Sequence, residues 1–72
     1  MDIKMKIGKH LRSLRISKDL TQEKLSYESN VDKTYISEVE NGKRNISVIN
    51  LERLTAAMDC NLKDFFNHQD FE

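Results

Sequence analysis

The 72-residue chain contains no proline, no tryptophan, two glycines and one cysteine. A single cysteine excludes an intrachain disulfide, and with two histidines it does not make up the usual ligand set of a structural zinc site. No apolar run approaches the about 20 residues of a membrane span, and no signal-peptide pattern opens the chain. We therefore expect a single domain over residues 1–72 that is cytoplasmic and reduced and uses no metal or other cofactor.

An excess of positive charge is also missing, because 12 Lys and Arg residues balance 12 Asp and Glu residues. The balance is uneven along the chain: residues 1–18 hold six bases against one acid, whereas residues 19–45 and 46–72 are both net acidic. A neutral total gives weak background attraction to nucleic acid. If the chain binds DNA, we expect affinity to depend on individually placed contacts and non-specific binding to be weak at physiological salt.

The scarcity of proline and glycine favours helices, and no alternating β-branched run predicts a strand. Apolar residues at helical spacing predict a first helix over Ile3–Ser17. Four further helices are predicted to begin after the N-cap residues Thr21, Asp32, Ser47 and Asn61. They are predicted to end near Ser29, Asn41, Met58 and Phe66, and residues 67–72 are expected to fray. The sequence thus predicts an all-α domain of five helices.

The second and third predicted helices, over about residues 21–41, are short and are joined by a turn of about three residues. The second of them carries Ile36 and Val39 on one face. Its other face is polar and consists of Thr34, Ser37, Glu38 and Asn41. This pattern is typical of a helix-turn-helix that reads DNA, although an ordinary helical hairpin has the same geometry.

Sequence detail in the same region points to a family. The relevant stretches are Thr21–Leu25, Asn30–Asp32 and Tyr35–Asn45. They resemble the Cro and phage-repressor-like helix-turn-helix family, also called the xenobiotic-response-element-like regulators. The resemblance runs from Ile7 to Phe66, and Ser29–Ser37 with Arg44 and Asn45 are most similar to the small controller proteins of restriction–modification systems. It implies a five-helix lambda-repressor-like DNA-binding domain in a sequence-specific transcriptional regulator that controls its own promoter.

Two residues depart from the family pattern at helix ends. Asp19 and Asn30 follow the first and second predicted helices, where the family most often has glycine. Asp and Asn adopt a left-handed backbone more readily than most residues do, so we expect the fold to tolerate both at some loss of stability.

The resemblance implies a set of DNA-contacting residues on the second helix, the third helix and the loop after it. They are Gln22, Lys33, Thr34, Tyr35, Ser37, Glu38, Lys43, Arg44 and Asn45. Gln22, Lys43 and Asn45 are implied to position the domain on phosphates. The first residues of the third helix are implied to enter the major groove, where Lys33 can donate to guanine and Thr34 can contact a base edge or a thymine methyl group.

Three residues of this set have alternative roles. Tyr35 could reach a phosphate or pack on a thymine methyl group, and Arg44 could reach a base edge or a phosphate. Glu38 opposes the phosphate field, so it could accept a hydrogen bond from cytosine, discriminate against wrong sites or pair with a neighbouring base.

Glu40 has a different predicted role, because helical spacing places it about 40° from Ile36 and thus toward the core. The family often places a partner arginine at the position of Arg15. The resemblance therefore implies a partly buried Arg15–Glu40 ion pair that joins the first helix to the third.

A single DNA-binding domain of this size, here called a head, contacts few base pairs. Two heads related by a twofold axis would read a palindromic site. We therefore expect a homodimer on double-stranded DNA, with dimerisation through the fourth and fifth helices at about residues 47–66. The predicted interface residues are Ile46, Ile49, Leu62, Phe65 and Phe66.

The two other function classes for such a chain are an enzyme and a protein-interaction module. The sequence has no phosphate-binding glycine loop, paired-acid motif or metal-ligand spacing, so we expect neither enzymatic activity nor a small-molecule effector. The alternative is a protein-interaction module of the antirepressor or antitoxin type, which would use the same fold without reading DNA.

Overall fold

A computed structural model describes residues 2–72 of the chain. It contains α1 (Ile3–Ser17), α2 (Gln22–Ser29), α3 (Lys33–Glu40), α4 (Val48–Ala57) and α5 (Leu62–Phe66), followed by a short 3₁₀ turn at Gln69–Phe71. Within residues 2–72 there is no strand, and the predicted all-α class is confirmed. Over the same residues, no helix combines the length and the apolarity that a bilayer crossing requires.

The helices begin where side chains satisfy their free N-terminal N–H groups. The predicted N-caps each accept a backbone N–H from the helix that follows; they are Thr21, Asp32, Ser47 and Asn61. Asp2, which is not among the predicted N-caps, caps α1 in the same way, with its Oδ1 2.9 Å from the Met5 nitrogen. Because such a cap contributes about 1 kcal/mol, these local interactions account for much of the helix placement.

Left-handed residues separate the helices. Asp19 and Asn30 have φ angles of 57° and 58°, in agreement with the expectation that both tolerate this backbone. Asp59, after α4, has a φ angle of 54°. Each of these residues lets the chain reverse after a helix without the glycine that usually serves there.

One hydrophobic core lies between the helices. Its buried apolar residues are Leu11, Leu25, Val31, Ile36, Val39, Leu51, Leu54, Met58 and Phe65. The α3 residues Ile36 and Val39 are each 1% exposed, so the apolar face of α3 is held against the core and its polar face is turned outward.

Gly8 allows α1 to approach the carboxyl end of α3. A Cβ atom at this position would collide with the carbonyl oxygen of Val39 and would lie 3.0 Å from that of Glu40. The close approach fixes the position of the carboxyl end of α3 relative to α1. Nothing in the local sequence pattern of α1 indicates this constraint.

The carboxyl-terminal residues correct one prediction. Residues 67–72 were expected to fray, but Phe71 is half-buried against the core, with its ring centroid 5.0 Å from that of Phe66. Asp70 Oδ2 lies 3.0 Å from His10 Nε2. The contact between His10 and Asp70 joins residues 60 positions apart, so local sequence pattern does not predict it.

Candidate nucleic-acid interface

The turn between α2 and α3 sets the angle at which α3 leaves the domain. Asn30 is left-handed, Val31 is buried at 5% exposure, and Asp32 Oδ2 accepts the backbone N–H groups of Thr34 and Tyr35. The hydroxyl of Ser26 in α2 donates to the Val31 carbonyl at 2.6 Å. A turn anchored at both ends holds the two helices in a fixed helix-turn-helix arrangement.

The outward face of α3 is polar and accessible. Lys33 and Thr34, at its amino-terminal end, are exposed, and Ser37 and Glu38 are half-exposed on the following turn. Hydroxyl, ammonium and carboxylate groups of this kind can donate to or accept from base edges in a major groove, which admits an α-helix.

Glu38 is paired with a base from the following loop. Its Oε1 lies 3.1 Å from Arg44 Nη1, and the Arg44 guanidinium lies 4.7 Å from the centre of the Tyr35 ring. The Glu38 and Arg44 side chains are 42% and 51% exposed. An exposed pair contributes about 0–1 kcal/mol, so a phosphate or a base edge can draw Arg44 away from Glu38 at small cost.

Tyr35 forms hydrogen bonds to the backbone of the loop that carries Arg44. Its hydroxyl donates to the Asn45 carbonyl at 3.4 Å and accepts from the Ser47 backbone N–H at 3.3 Å. The hydroxyl is therefore engaged with the protein backbone, whereas the partners expected of Tyr35 from the sequence were a phosphate or a thymine methyl group. This arrangement orders the segment between α3 and α4, in which Lys43 and Asn45 are exposed.

Arg15 and Glu40 form the buried polar link between α1 and α3. Arg15 Nε and Nη2 donate to the two Glu40 carboxylate oxygens at 2.7 and 2.9 Å, and Nη1 donates to the Leu20 carbonyl at 2.8 Å. The Arg15 and Glu40 side chains are 12% and 3% exposed. The hydrogen bonds to Glu40 raise the pKa of Arg15 above its usual range. The two charge-assisted hydrogen bonds to Glu40 hold the end of α3 against α1.

Gln22 belongs to the same network. Its Nε2 donates to Glu40 Oε1 at 3.1 Å, and the side chain is half-buried. A contact between this amide and a DNA phosphate, as the resemblance implies, therefore requires the side chain to leave Glu40. Local sequence pattern does not predict this bond, because Gln22 and Glu40 are 18 positions apart.

The residues predicted to form a dimer interface lie in three different environments. Ile49 is 66% exposed and Phe66 is 37% exposed, whereas Ile46 and Leu62 are half-buried against the core. Phe65 is a correction: it is 6% exposed and fills the core, so its ring is unavailable to a partner. Val48, which the prediction omitted, is 72% exposed next to Ile49. The signal in the sequence for an exposed apolar pair was two adjacent apolar residues, Val48 and Ile49, directly after the N-cap Ser47.

Comparison with known proteins gives the family. The helix-turn-helix family model matches residues 11–65. Control protein C.MunI of Mycoplasma sp is 43% identical over 67 residues, which cover 92% of this chain and 90% of the relative. Control protein C.BamHI of Bacillus amyloliquefaciens is 37% identical over 67 residues, which cover 92% of this chain and 83% of the relative.

Solved structures agree in fold and in sequence. The restriction–modification controller protein C.AhdI from Aeromonas hydrophila matches with a TM-score of 0.84 and 40% identity, covering 88% of this chain and 96% of that one. The C.Esp1396I controller, solved as a tetramer in complex with its natural 35 base-pair operator, matches with a TM-score of 0.85 and 33% identity, covering 92% of this chain and 87% of that one. The chain belongs to the Cro- and repressor-like helix-turn-helix family, and restriction–modification controller proteins are among its close relatives.

Proposed function

We propose that the chain is a sequence-specific DNA-binding transcriptional regulator of the restriction–modification controller type, which acts as a homodimer on a palindromic operator at its own promoter. The observation that carries the proposal is the polar outer face of α3, capped by Asp32 and backed by a buried apolar face. The controller relatives support the choice of function, and the C.Esp1396I structure includes operator DNA.

In this proposal α3 lies in the major groove with its amino-terminal end toward the bases. Lys33 donates to guanine, and Thr34 and Ser37 contact base edges or a thymine methyl group. Arg44 leaves Glu38 for a phosphate or a base. Glu38, once unpaired, then penalises sites that offer it no donor, because an unpartnered carboxylate beside phosphates is unfavourable.

Phosphate contacts fix the orientation of this head. Lys43 and Asn45 are exposed on the loop that Tyr35 orders, which suits them to the backbone beside the groove. Gln22, at the first turn of α2, joins them when its amide turns away from Glu40.

The proposed dimer surface combines exposed apolar residues of α4 and α5. Its centre is Val48, Ile49 and Phe66, and the half-buried Ile46 and Leu62 form its edge. Dimerisation removes this apolar area from water and places two heads on successive major grooves. Occupancy of the promoter then rises with protein concentration, which gives autoregulation without a small-molecule effector.

The test begins with selection of bound sequences from random double-stranded DNA. Gel retardation across a salt series follows, with the selected site and a scrambled site. Lys33→Ala is expected to cost about 1–3 kcal/mol on the selected site and to relax specificity there, since a base contact is lost. Lys43→Ala is expected to weaken both sites alike and to reduce the salt slope by about one. Lys18→Ala, at an exposed base after α1 that lies outside both proposed surfaces, is the matched control and should bind as the parent does.

The same experiment separates the alternative function. A chain that selects no sequence, or whose binding does not weaken with salt, is not a DNA reader and fits the protein-interaction module instead. Sedimentation tests the dimer: Ile49→Asp should shift the parent dimer toward monomer, whereas Ile16→Asp, at an α1 residue that is 53% exposed, should not. A parent chain that is monomeric at high micromolar concentration contradicts the proposed dimer.

A further inference from the structure

A cluster of side chains outside the DNA-binding face joins α1 to the carboxyl-terminal turn. It consists of His10, His68 and Asp70, each of which offers one ligand atom within 4.8 Å of the other two. His10 Nε2 lies 3.0 Å from Asp70 Oδ2, and His68 Nδ1 lies 3.7 Å from the same oxygen. The fold thus brings two imidazoles and one carboxylate to a single point.

We propose that this cluster binds a divalent transition-metal ion, with zinc as the reference ion. Imidazole nitrogen and carboxylate oxygen are ligands that Zn²⁺, Co²⁺ and Ni²⁺ accept. Ligand atoms about 2.0 Å from a tetrahedral zinc lie about 3.3 Å from one another. The distances of 3.0 and 3.7 Å about Asp70 Oδ2 bracket that spacing, and the two imidazole ligand atoms lie within 4.8 Å of each other. Side-chain rotations can therefore close the three ligands around one ion.

The three ligands differ in how firmly they are held. The His10 side chain is 16% exposed, and its ring packs against Phe71, with centroids 4.9 Å apart. His68 and Asp70 are more accessible, at 45% and 30% exposure. One ligand is therefore fixed on a rigid helix, and the other two lie on a short turn that can adjust around an ion.

A metal-free role explains only part of the cluster. The bond between His10 and Asp70 fastens the turn to α1, and His68 Nδ1 caps the turn by accepting the Asp70 backbone N–H at 3.0 Å. Neither contact requires the His68 imidazole to lie 4.3 Å from the His10 imidazole. A bound cation uses both rings and links the turn to α1 itself, at the cost of the hydrogen bond at His68 Nδ1 and of the one between His10 Nε2 and Asp70 Oδ2.

A bound ion would cross-link α1 to the carboxyl-terminal turn. Small domains often add a structural metal because their cores alone give limited stability. Binding to the folded chain raises the folding equilibrium constant about 100-fold when free metal is about 100 times the dissociation constant. Zinc is therefore expected to raise Tm and to protect residues 68–71 from proteolysis.

The test is isothermal titration calorimetry of the full chain with zinc chloride. We expect one zinc ion per chain and a matching rise in Tm. Asp70→Asn keeps the shape and an acceptor for His10, and should weaken zinc binding about ten-fold or more, since even supporting residues of metal sites cost this much. Glu72→Gln removes the same charge two residues away and should bind zinc as the parent does. Absence of zinc binding, or equal affinity of these two variants, overturns the proposal.

Two further measurements keep the ligand assignment testable if Asp70→Asn folds poorly. His68→Asn retains a side chain that can cap the turn and should also lose about ten-fold or more in affinity. In NMR spectra of the parent, zinc should shift the imidazole resonances of both histidines. Cys60→Ser should bind zinc normally, and a loss of binding in this variant would replace the proposed ligand set with another.

Discussion

The Arg15–Glu40 pair offers a sharp test of how α3 is held. Arg15→Ala removes three hydrogen bonds of a guanidinium that is 12% exposed and leaves the Glu40 carboxylate, 3% exposed, with only the Gln22 amide. Removing one partner of a buried pair costs roughly 3–5 kcal/mol. In a domain of this size about 1 kcal/mol corresponds to about 4–8 °C, so Tm should fall by at least about 12 °C.

Thermal unfolding followed by circular dichroism measures the effect, with Arg12→Ala as the control. Arg12 is an exposed base one turn earlier on the same helix, and its loss should change Tm by only about 2–4 °C, since surface changes stay within about 0.5 kcal/mol. Equal melting temperatures for the two variants would refute the reasoning. A second variant, Arg15→Met combined with Glu40→Leu, should recover most of the loss, because replacing both ions by apolar residues avoids the stranded charge.

The remaining predictions concern one glycine and the single cysteine. Gly8→Ala should lower the free energy of unfolding by about 1–3 kcal/mol, because the added Cβ meets the Val39 carbonyl oxygen. Ser13→Ala, on the same helix, is the control and should leave the free energy of unfolding almost unchanged. Equal denaturant unfolding curves for the two variants would contradict the close approach of α1 to α3. Burial, and then the charge of Asp64, raises the pKa of the Cys60 thiol. Less thiolate is therefore present at a given pH, and iodoacetamide should modify Cys60 more slowly than it modifies a cysteine peptide. The modification rate of Cys60 should also rise at a higher pH than that of the peptide. A pH midpoint of the Cys60 rate below that of the peptide would contradict this.

Features set by neighbours along the chain could be predicted from the sequence. The bounds of α1 and α2, the N-cap at Thr21 and the left-handed Asn30 follow from propensity, capping and steric cost within a few residues. The buried face of α3 follows from helical periodicity in the same way. Errors arose where a residue was apolar but its partners were remote, as with Phe65, which was assigned to an interface and lies in the core.

In the candidate site, too, some features could be predicted from the sequence and others could not. The polar face of α3 could be read from spacing, and the pairing of Arg15 with Glu40 could be inferred from family resemblance. The engagement of Tyr35 with the backbone at Asn45 and Ser47, and the turn of Gln22 toward Glu40, could not, because a rotamer depends on what surrounds it in space.

By itself the sequence determined that this protein is a bundle of five helices with a helix-turn-helix near its middle, since capping and periodicity act over one or two turns. The tertiary structure alone decided how the ends of the chain are used. It brought Asp70 to His10 across 60 positions and packed a half-buried Phe71 against the core where fraying was expected. Such contacts depend on packing directions in three dimensions, and neither composition nor local pattern specifies those directions.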